Sequence, residues 1–124
     1  MSNNIIRVMI VDDHPQVRYG LSVFLDLWDD LQLVGEADNG EKALALAAEL
    51  HPDIILMDLA MPVMDGVTAT RLIKKKFPDI QIVVLTSSID LDMIQQALDA
   101  GAKSYMLKNV NIDTMAQTIR AAAN

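Results

Sequence analysis

Ile54-Ile55-Leu56-Met57-Asp58 is the stretch that decides the fold of this chain. Its four apolar side chains are consecutive rather than alternating with polar ones, which is typical of a short strand buried on both faces. Strands of that kind belong to parallel sheets that helices cover on either side. A carboxylate at the end of such a strand is costly unless it has a use or a partner, so Asp58 is the first candidate functional residue.

Outward from this strand, apolar runs alternate with helix-like patterns along the whole chain, without a linker between them. His14 and Pro15 are predicted to start the first helix, and Gly101 to follow the end of the fourth. The predicted strands span residues 5–11, 31–37, 54–57, 80–85 and 105–108, and the helices after them begin near residues 15, 40, 67, 89 and 112. This pattern predicts an α/β fold of five βα units with right-handed crossovers.

The composition fits one domain over residues 1–124 and disfavours several functional classes. Hydrophobic residues make up 52% and charged residues 22%, which is ordinary for a globular domain and argues against disorder. The absence of cysteine excludes disulfides and thiolate metal sites, and it favours a reducing compartment. A net charge of −7 argues against direct binding to nucleic acid. The apolar runs are too short to cross a membrane.

Polar residues follow each predicted strand. In open parallel sheets, ligands bind at the carboxyl ends of the strands, near the point where the strand order reverses. The residues at those ends are Asp12-Asp13, Asp38, Asp58, Thr86-Ser87-Ser88 and Lys108. These residues are the candidates for the functional site of the chain.

Asp12, Asp13 and Asp58 form the acidic part of the set. Two adjacent carboxylates repel each other by about 4 kcal/mol at ~4 Å and an effective dielectric of about 20, so a cation is needed to keep both ionised. Magnesium suits such oxygen ligands. The alternative is that Asp13 caps the first helix while Asp12 is solvated beside it. Asp58 makes a metal site more probable, and its carboxylate is also a candidate nucleophile for a phosphoryl group, or merely a third ligand.

Thr86 and Lys108 could supply what phosphoryl transfer further requires. Such transfer depends on positioning and on stabilising the charge of the non-bridging oxygens, which a hydroxyl and an ammonium group can both do. Each residue has an alternative, because Thr86 could cap the next helix and Lys108 could be a solvated edge lysine. The two of them together at strand ends, beside the acidic residues, favour the phosphoryl-binding interpretation.

The chain resembles a receiver domain of a two-component response regulator over essentially its whole length. The motifs that carry the resemblance are Val11-Asp12-Asp13-His14-Pro15, the stretch from Asp58 to Gly66, Thr86-Ser87, Ala100-Gly101-Ala102 and Lys108. The first of them, followed by Val17-Arg18-Tyr19-Gly20-Leu21, also resembles the NarL/FixJ (LuxR-type) branch. The resemblance implies a doubly wound, flavodoxin-like fold whose five parallel strands have the order 2-1-3-4-5.

The resemblance also implies a role for each acidic residue. Asp58 would be the phosphoacceptor. Mg²⁺, or Mn²⁺ or another divalent ion, would be held by Asp13 directly, by Asp12 largely through water, by Asp58 and by the backbone carbonyl of Ala60. The domain would not be an enzyme beyond catalysing its own phosphorylation and dephosphorylation.

Three further residues are assigned by the same resemblance. Thr86 and Lys108 would bind the phosphoryl group, and Tyr105 would turn inward when Thr86 moves toward it. One departure concerns Asn109, which stands where the family often has a proline joined to the lysine by a cis peptide. Because a cis bond to a non-proline residue costs about 2.5–4 kcal/mol, a trans bond, with Lys108 entering from a slightly different direction, is an alternative here.

The partners and location are also implied by the family. The phosphoryl donor would be a sensor histidine kinase or a small molecule such as acetyl phosphate. The output would be a C-terminal helix-turn-helix DNA-binding domain in a longer, cytoplasmic transcription regulator. The first helix is apolar more than half-way round, which could provide a homodimer surface together with the last helix, or could only pack under the loop before the second strand.

Three rival functions fit these residues less well. A magnesium-dependent aspartyl-phosphate phosphatase would need a second acid two residues after the nucleophile, where this chain has Ala60. A flavodoxin-like carrier would need aromatic residues around the flavin, and aromatic residues are only 4% of the chain. A receiver-like module that binds partners without being phosphorylated is disfavoured by the full set of Asp, Thr and Lys positions.

Overall fold

Strands and helices alternate along residues 4–124, which is the part of the chain that the computed structural model describes. The strands are β1 (Ile6–Val11), β2 (Leu31–Ala37), β3 (Ile54–Asp58), β4 (Gln81–Thr86) and β5 (Ser104–Leu107). The helices are α1 (Pro15–Leu25), α2 (Gly40–Leu50), α3 (Gly66–Lys76), α4 (Leu91–Asp99) and α5 (Ile112–Ala123). The prediction of five βα units is confirmed.

The five strands form one parallel sheet in the order β2-β1-β3-β4-β5. This is the order that the resemblance implied. The central strand β3 is buried along its whole length, as its continuous apolar sequence predicted. In the register between β1 and β3, Val11 lies beside Met57. The next residues, Asp12 and Asp58, therefore leave two neighbouring strands at the same edge of the sheet.

Two hydrophobic layers cover the sheet, one on each face. Met9 and Val11 of β1 point into the layer made with α2, α3 and α4. Val8 and Ile10 of the same strand point into the layer made with α1 and α5. Because successive side chains of a strand face opposite sides, both faces of β1 must be apolar for both layers to form. The doubly wound architecture follows from this pattern.

The ends of several elements differ slightly from the prediction. The Ile80 amide donates a hydrogen bond to the Phe77 carbonyl (3.1 Å) in a turn, so β4 begins one residue later than predicted. The strand β5 ends before Lys108, which places that lysine in the loop toward α5. Gly101 has a φ of 115°, the left-handed region that glycine adopts readily, as expected for the residue that follows α4.

Two further properties of residues 4–124 bear on the predictions. The peptide bonds in this range are all trans, including the bond between Lys108 and Asn109. Within the same range, the structure contains no helix that is both long enough and apolar enough to span a bilayer.

Candidate functional site

Four titratable side chains meet where β1 and β3 end. One potential ligand atom from each of Asp12, Asp13, His14 and Asp58 lies within 4.8 Å of the others. The three aspartates were predicted to converge, and the structure brings them together as expected. The parallel pairing of β1 and β3 causes this convergence, because it carries the first loop and the end of the central strand to one point.

Asp12 is part of the protein interior. Its side chain is 0% exposed, and its Oδ1 atom accepts a hydrogen bond from the His14 amide (2.8 Å). Its own amide donates to the Ala37 carbonyl (3.1 Å), and its carbonyl accepts from the Arg18 guanidinium (2.7 Å). The alternative of a solvated Asp12 beside a capping Asp13 is therefore wrong. The N-cap position of α1 belongs to His14, whose side chain makes no capping hydrogen bond to the described residues.

Lys108 supplies the positive charge at the centre of the site. Its Nζ atom lies 2.7 Å from Asp12 Oδ2 and 3.3 Å from Asp58 Oδ1, and the side chain is only 18% exposed. Its backbone amide donates to the Thr86 carbonyl (2.9 Å), which fixes the loop after β5 against β4. Burial lowers the pKa of the Lys108 ammonium, but Asp12 and Asp58 outweigh that effect and raise it above the ordinary value. The alternative of a solvated edge lysine is wrong.

Asp58 is a buried carboxylate in an acidic environment. Burial is the largest cause of a raised pKa of the Asp58 carboxyl, and the charge of Asp12 raises it further. Lys108 opposes both effects without cancelling them. The Asp58 carboxylate is therefore a stronger base than a solvated aspartate. A further positive charge beside it would stabilise its ionised form.

The acidic centre, formed by the carboxylates of Asp12, Asp13 and Asp58, fits a divalent cation. Asp13 Oδ1 is buried and accepts no hydrogen bond from the part of the chain that the structure describes. Two more carboxylates lie beside it, and Lys108 contacts those of Asp12 and Asp58. Carboxylate oxygens are the ligands that Mg²⁺ prefers, and a buried oxygen without a hydrogen bond is suited to a metal ion.

A cleft opens beside the acidic centre on the side of α3. Its volume is about 570 Å³, and its lining includes Asp13, Ala60 and Met61, with Arg71 from α3. Ala60, whose backbone carbonyl the resemblance assigned to the metal, thus lines the same cleft as Asp13. Access from solvent to Asp13 is therefore open along the loop that follows β3.

Gly66 holds the loop after β3 against the end of that strand. Its amide donates a hydrogen bond to the Leu59 carbonyl (2.9 Å). A Cβ atom at this position would collide with the backbone carbonyl oxygen of Asp58. The glycine in the Asp58–Gly66 motif is therefore required for the close return of the chain to the phosphoacceptor candidate.

Thr86 is the last residue of β4, and Tyr105 lies beside Val84 of the same strand. The Thr86 hydroxyl donates to the carbonyl of Ser88 (2.5 Å). The alternative that Thr86 caps α4 is wrong, because Asp90 is the N-cap and accepts from the Met93 amide (3.2 Å). The Tyr105 side chain, on β5, is 43% exposed and points away from the core.

Two residues near strand ends have contacts that the sequence did not indicate. Asp38 lies apart from the acidic centre, in an ion pair with Lys42 (3.2 Å) on α2. His14 was expected only to start α1, yet its Nδ1 atom lies 3.1 Å from Asp12 Oδ1 and 3.2 Å from Asp13 Oδ1. The signal in the sequence was its position directly after the two aspartates, before a proline that fixes the direction of α1.

The model of the response regulator receiver domain matches residues 8–120 of this chain. The chain belongs to this family. The receiver domain therefore contains the acidic centre, Thr86 and Lys108 within the matched range. Membership confirms the resemblance found in the sequence, and it identifies the chain as a signalling domain.

The relatives of this receiver domain include transcription regulators. It is 48% identical over 118 residues to the transcriptional regulatory protein LiaR of Bacillus subtilis, covering 95% of this chain and 56% of LiaR. It is 46% identical to the response regulator VraR of Staphylococcus saprophyticus, covering 96% of this chain and 57% of VraR. The chain thus spans a little over half the length of these relatives.

The fold is shared with solved receiver domains of the same branch. The signal receiver domain of the putative response regulator NarL from Mycobacterium tuberculosis superposes with a TM-score of 0.92 at 30% identity, covering 97% of each chain. A LuxR-family response regulator from Aurantimonas superposes with a TM-score of 0.90 at 33% identity, covering 96% of this chain and 85% of that one. The predicted NarL/LuxR-type branch is confirmed.

Proposed function

We propose that Asp58 of this receiver domain accepts a phosphoryl group and that Asp12, Asp13, Thr86 and Lys108 assist it. The observation that carries the proposal is the position of the Lys108 ammonium between the buried carboxylates of Asp12 and Asp58 (2.7 and 3.3 Å). A cation in this place opposes the rise in the pKa of Asp58, and it can bind the oxygens of an incoming phosphoryl group.

The transfer is a substitution at phosphorus. A carboxylate oxygen of Asp58 attacks the phosphorus of a phosphohistidine, and an O–P bond forms as the N–P bond breaks. The electron pair of that bond stays with the imidazole nitrogen, which takes a proton from solvent. Lys108 stabilises the charge on the non-bridging oxygens, since its Nζ already lies 3.3 Å from Asp58 Oδ1. The domain modifies its own side chain in this reaction and turns over no external product of its own.

Asp12, Asp13, Asp58 and the backbone carbonyl of Ala60 would hold the divalent ion, with Mg²⁺ the ion expected. When bound, this ion supplies positive charge opposite the phosphoryl oxygens and relieves the repulsion among the carboxylates. The buried Asp13 Oδ1 atom, which lacks a hydrogen bond to residues 4–124, supports this assignment. So does the cleft beside Asp13 and Ala60.

Phosphorylation would change the face made by α4, β5 and α5. The Thr86 hydroxyl donates to Ser88 (2.5 Å) before phosphorylation, and phosphoryl oxygens on Asp58 are stronger acceptors than that carbonyl. We infer that Thr86 turns toward them and that Tyr105, 43% exposed, fills the space it leaves. The face made by α4, β5 and α5 would then have two arrangements, one with Tyr105 exposed and one with Tyr105 turned inward. The phosphoryl group would favour the second.

Family membership and the length of the relatives support the proposed partners. We propose that the donor is a sensor histidine kinase or acetyl phosphate, and that the domain is the N-terminal part of a cytoplasmic transcription regulator with a helix-turn-helix output domain. A homodimer through α1 and α5 is supported by Tyr19 and Val23, which lie one turn apart on α1 and are both exposed. The other face of α1 packs against β1 and β2, which accounts for its buried apolar residues without a dimer.

Intact-mass analysis tests this proposal. We expect incubation with acetyl phosphate and Mg²⁺ to add the mass of one phosphoryl group to the domain, and we expect no addition in Asp58→Asn. The matched control is Asp38→Asn, which removes an exposed carboxylate at another strand end and should leave phosphorylation unchanged. Phosphorylation that persists in Asp58→Asn would contradict the assignment, and the absence of phosphorylation in all variants would favour a receiver-like module that is not phosphorylated.

A further inference from the structure

The ring of His14 lies against the acidic centre. Its Nδ1 atom forms a hydrogen bond with Asp12 Oδ1 (3.1 Å), which a bound ion would replace, and it lies 3.2 Å from Asp13 Oδ1. It also belongs to the group of four ligand atoms within 4.8 Å. The backbone holds the ring there, because the His14 amide donates to Asp12 Oδ1 (2.8 Å) and Pro15 starts α1 immediately afterwards. Proline at the first helical position fixes φ, so the direction in which α1 leaves His14 is restricted.

The two oxygens of Asp12 divide the centre into two sides. Lys108 occupies the side of Oδ2 (2.7 Å), together with Asp58 Oδ1 (3.3 Å). His14 occupies the side of Oδ1, next to the buried Asp13 oxygen that lacks a hydrogen bond to the described residues. The Lys108 ammonium repels a metal ion from the Oδ2 side of Asp12. The electrostatic potential is therefore more favourable for a metal ion on the Oδ1 side.

The His14 ring is accessible from solvent as well as from the centre. Its side chain is 60% exposed, so the ring lies at the surface rather than in the core. An imidazole nitrogen suits Zn²⁺, Co²⁺ and Mn²⁺ better than Mg²⁺, which prefers oxygen ligands and keeps several waters. A nitrogen donor beside three carboxylates therefore alters which ions the centre prefers.

We propose that His14 Nδ1 is a ligand of the divalent ion in this centre and sets its ion preference. With this nitrogen the donor set contains carboxylate oxygens and one imidazole, and it gains affinity for ions such as Zn²⁺ more than for Mg²⁺. This inference rests on the proposed metal centre, since it assigns a further ligand to the ion that Asp13 and Asp58 would hold. It makes His14 a residue that determines specificity without a role in the transfer itself.

Calorimetric titration of the domain with Mg²⁺ and, separately, with Zn²⁺ tests the assignment. We expect His14→Asn to weaken Zn²⁺ binding by about tenfold or more, a loss typical even of residues that act on a metal indirectly. We expect Mg²⁺ binding to change by less than about threefold, because its oxygen ligands remain. Asparagine is a favourable N-cap residue, so the variant keeps the start of α1.

His51→Asn is the matched control. His51 is the only other histidine of the chain, and it lies after α2 with a left-handed φ of 51°, which asparagine tolerates. We expect this variant to keep the Zn²⁺ and Mg²⁺ affinities of the wild type. In a ¹⁵N-histidine spectrum, stoichiometric Zn²⁺ should shift the ring nitrogens of His14 and leave those of His51 in place.

The outcomes separate this inference from the proposed function. An unchanged ratio of Zn²⁺ to Mg²⁺ affinity in His14→Asn, with Mg²⁺ binding that still depends on Asp58, overturns the role of His14 alone. Equal losses of Zn²⁺ affinity in the His14 and His51 variants would also overturn it, because the metal would then bind at exposed imidazoles in general. Mg²⁺ affinity that is equal in the wild type and in Asp58→Asn would overturn the metal centre itself.

Discussion

Replacement of Asp13 by asparagine should stabilise the domain when no divalent ion is present. Asp12, Asp13 and Asp58 offer oxygens within 4.8 Å of one another, and Lys108 contacts Asp12 and Asp58. Asp13 also has a buried Oδ1 that accepts no hydrogen bond from residues 4–124. Its negative charge therefore costs free energy in the folded state, and an isosteric amide removes that charge.

The size of the effect follows from Coulomb's law. Two unit charges 4.8 Å apart repel by about 3.5 kcal/mol at an effective dielectric of 20, and by about 1 kcal/mol in water. The Asp13 side chain is 28% exposed, so the value for its pair with Asp58 lies between these limits. Its repulsion from Asp12 persists in the unfolded chain, because the two are neighbours in sequence, and contributes little to the difference. We expect Asp13→Asn to raise the free energy of unfolding by about 1–2 kcal/mol.

Urea unfolding followed by circular dichroism, at pH 8 with a chelator and low salt, measures this change. A gain of 1 kcal/mol corresponds to a rise of about 4 °C in the melting temperature for a domain of this size. Mg²⁺ should then stabilise the wild type, by about 2.7 kcal/mol at a hundred times its dissociation constant, and Asp13→Asn much less. The control Asp38→Asn, in an exposed ion pair, should change stability by less than about 0.5 kcal/mol. Asp13→Asn that is as stable as the wild type, or less stable, would refute the electrostatic argument.

Three further predictions concern the same region. Lys108→Ala should lower the free energy of unfolding by about 3 kcal/mol in urea titrations, because it leaves Asp12 buried without a cation; an effect below about 1 kcal/mol would show that the ion pair is unimportant. Gly66→Ala should lower the free energy of unfolding by about 2–3 kcal/mol, because its Cβ would collide with the Asp58 carbonyl. Gly20→Ala, in α1 with open space around it, should raise that free energy by up to about 1 kcal/mol. Equal melting temperatures for the two variants would contradict this. Between pH 3.8 and the raised pKa of Asp58, this carboxyl loses its proton in the unfolded state but keeps it in the folded state. The free energy of unfolding should therefore fall as the pH rises through this range. Asp58→Asn should lack this component of the pH profile.

Periodicity in the sequence was sufficient to predict the order and type of the elements. The continuous run at 54–57 and the alternation of runs with helical patterns required a covered parallel sheet, which the structure contains. The strand order did not follow from periodicity and came from the family resemblance. The ends of β4 and β5 were misplaced by a residue because turn hydrogen bonds, such as Ile80 to Phe77, depend on the local backbone conformation.

The acidic centre was predictable in its members but not in its contacts. Parallel strands with adjacent ends bring Asp12 and Asp58 together whatever their surroundings, so their position in the sequence was informative. The side on which Lys108 enters and the hydroxyl partner of Thr86 depend on rotamers and loop paths that no pattern encodes. His14 was missed for the same reason, because a residue at a helix start can turn its ring either to solvent or to the site.

The pairing of β1 with β3 has a consequence for following how this protein folds. Asp12 and Asp58 are far apart in the chain and become neighbours only when these two strands align. A paramagnetic ion such as Mn²⁺, bound between them, would broaden nearby resonances only after that alignment. The centre could thus serve as a built-in reporter of when the middle of the sheet assembles during refolding.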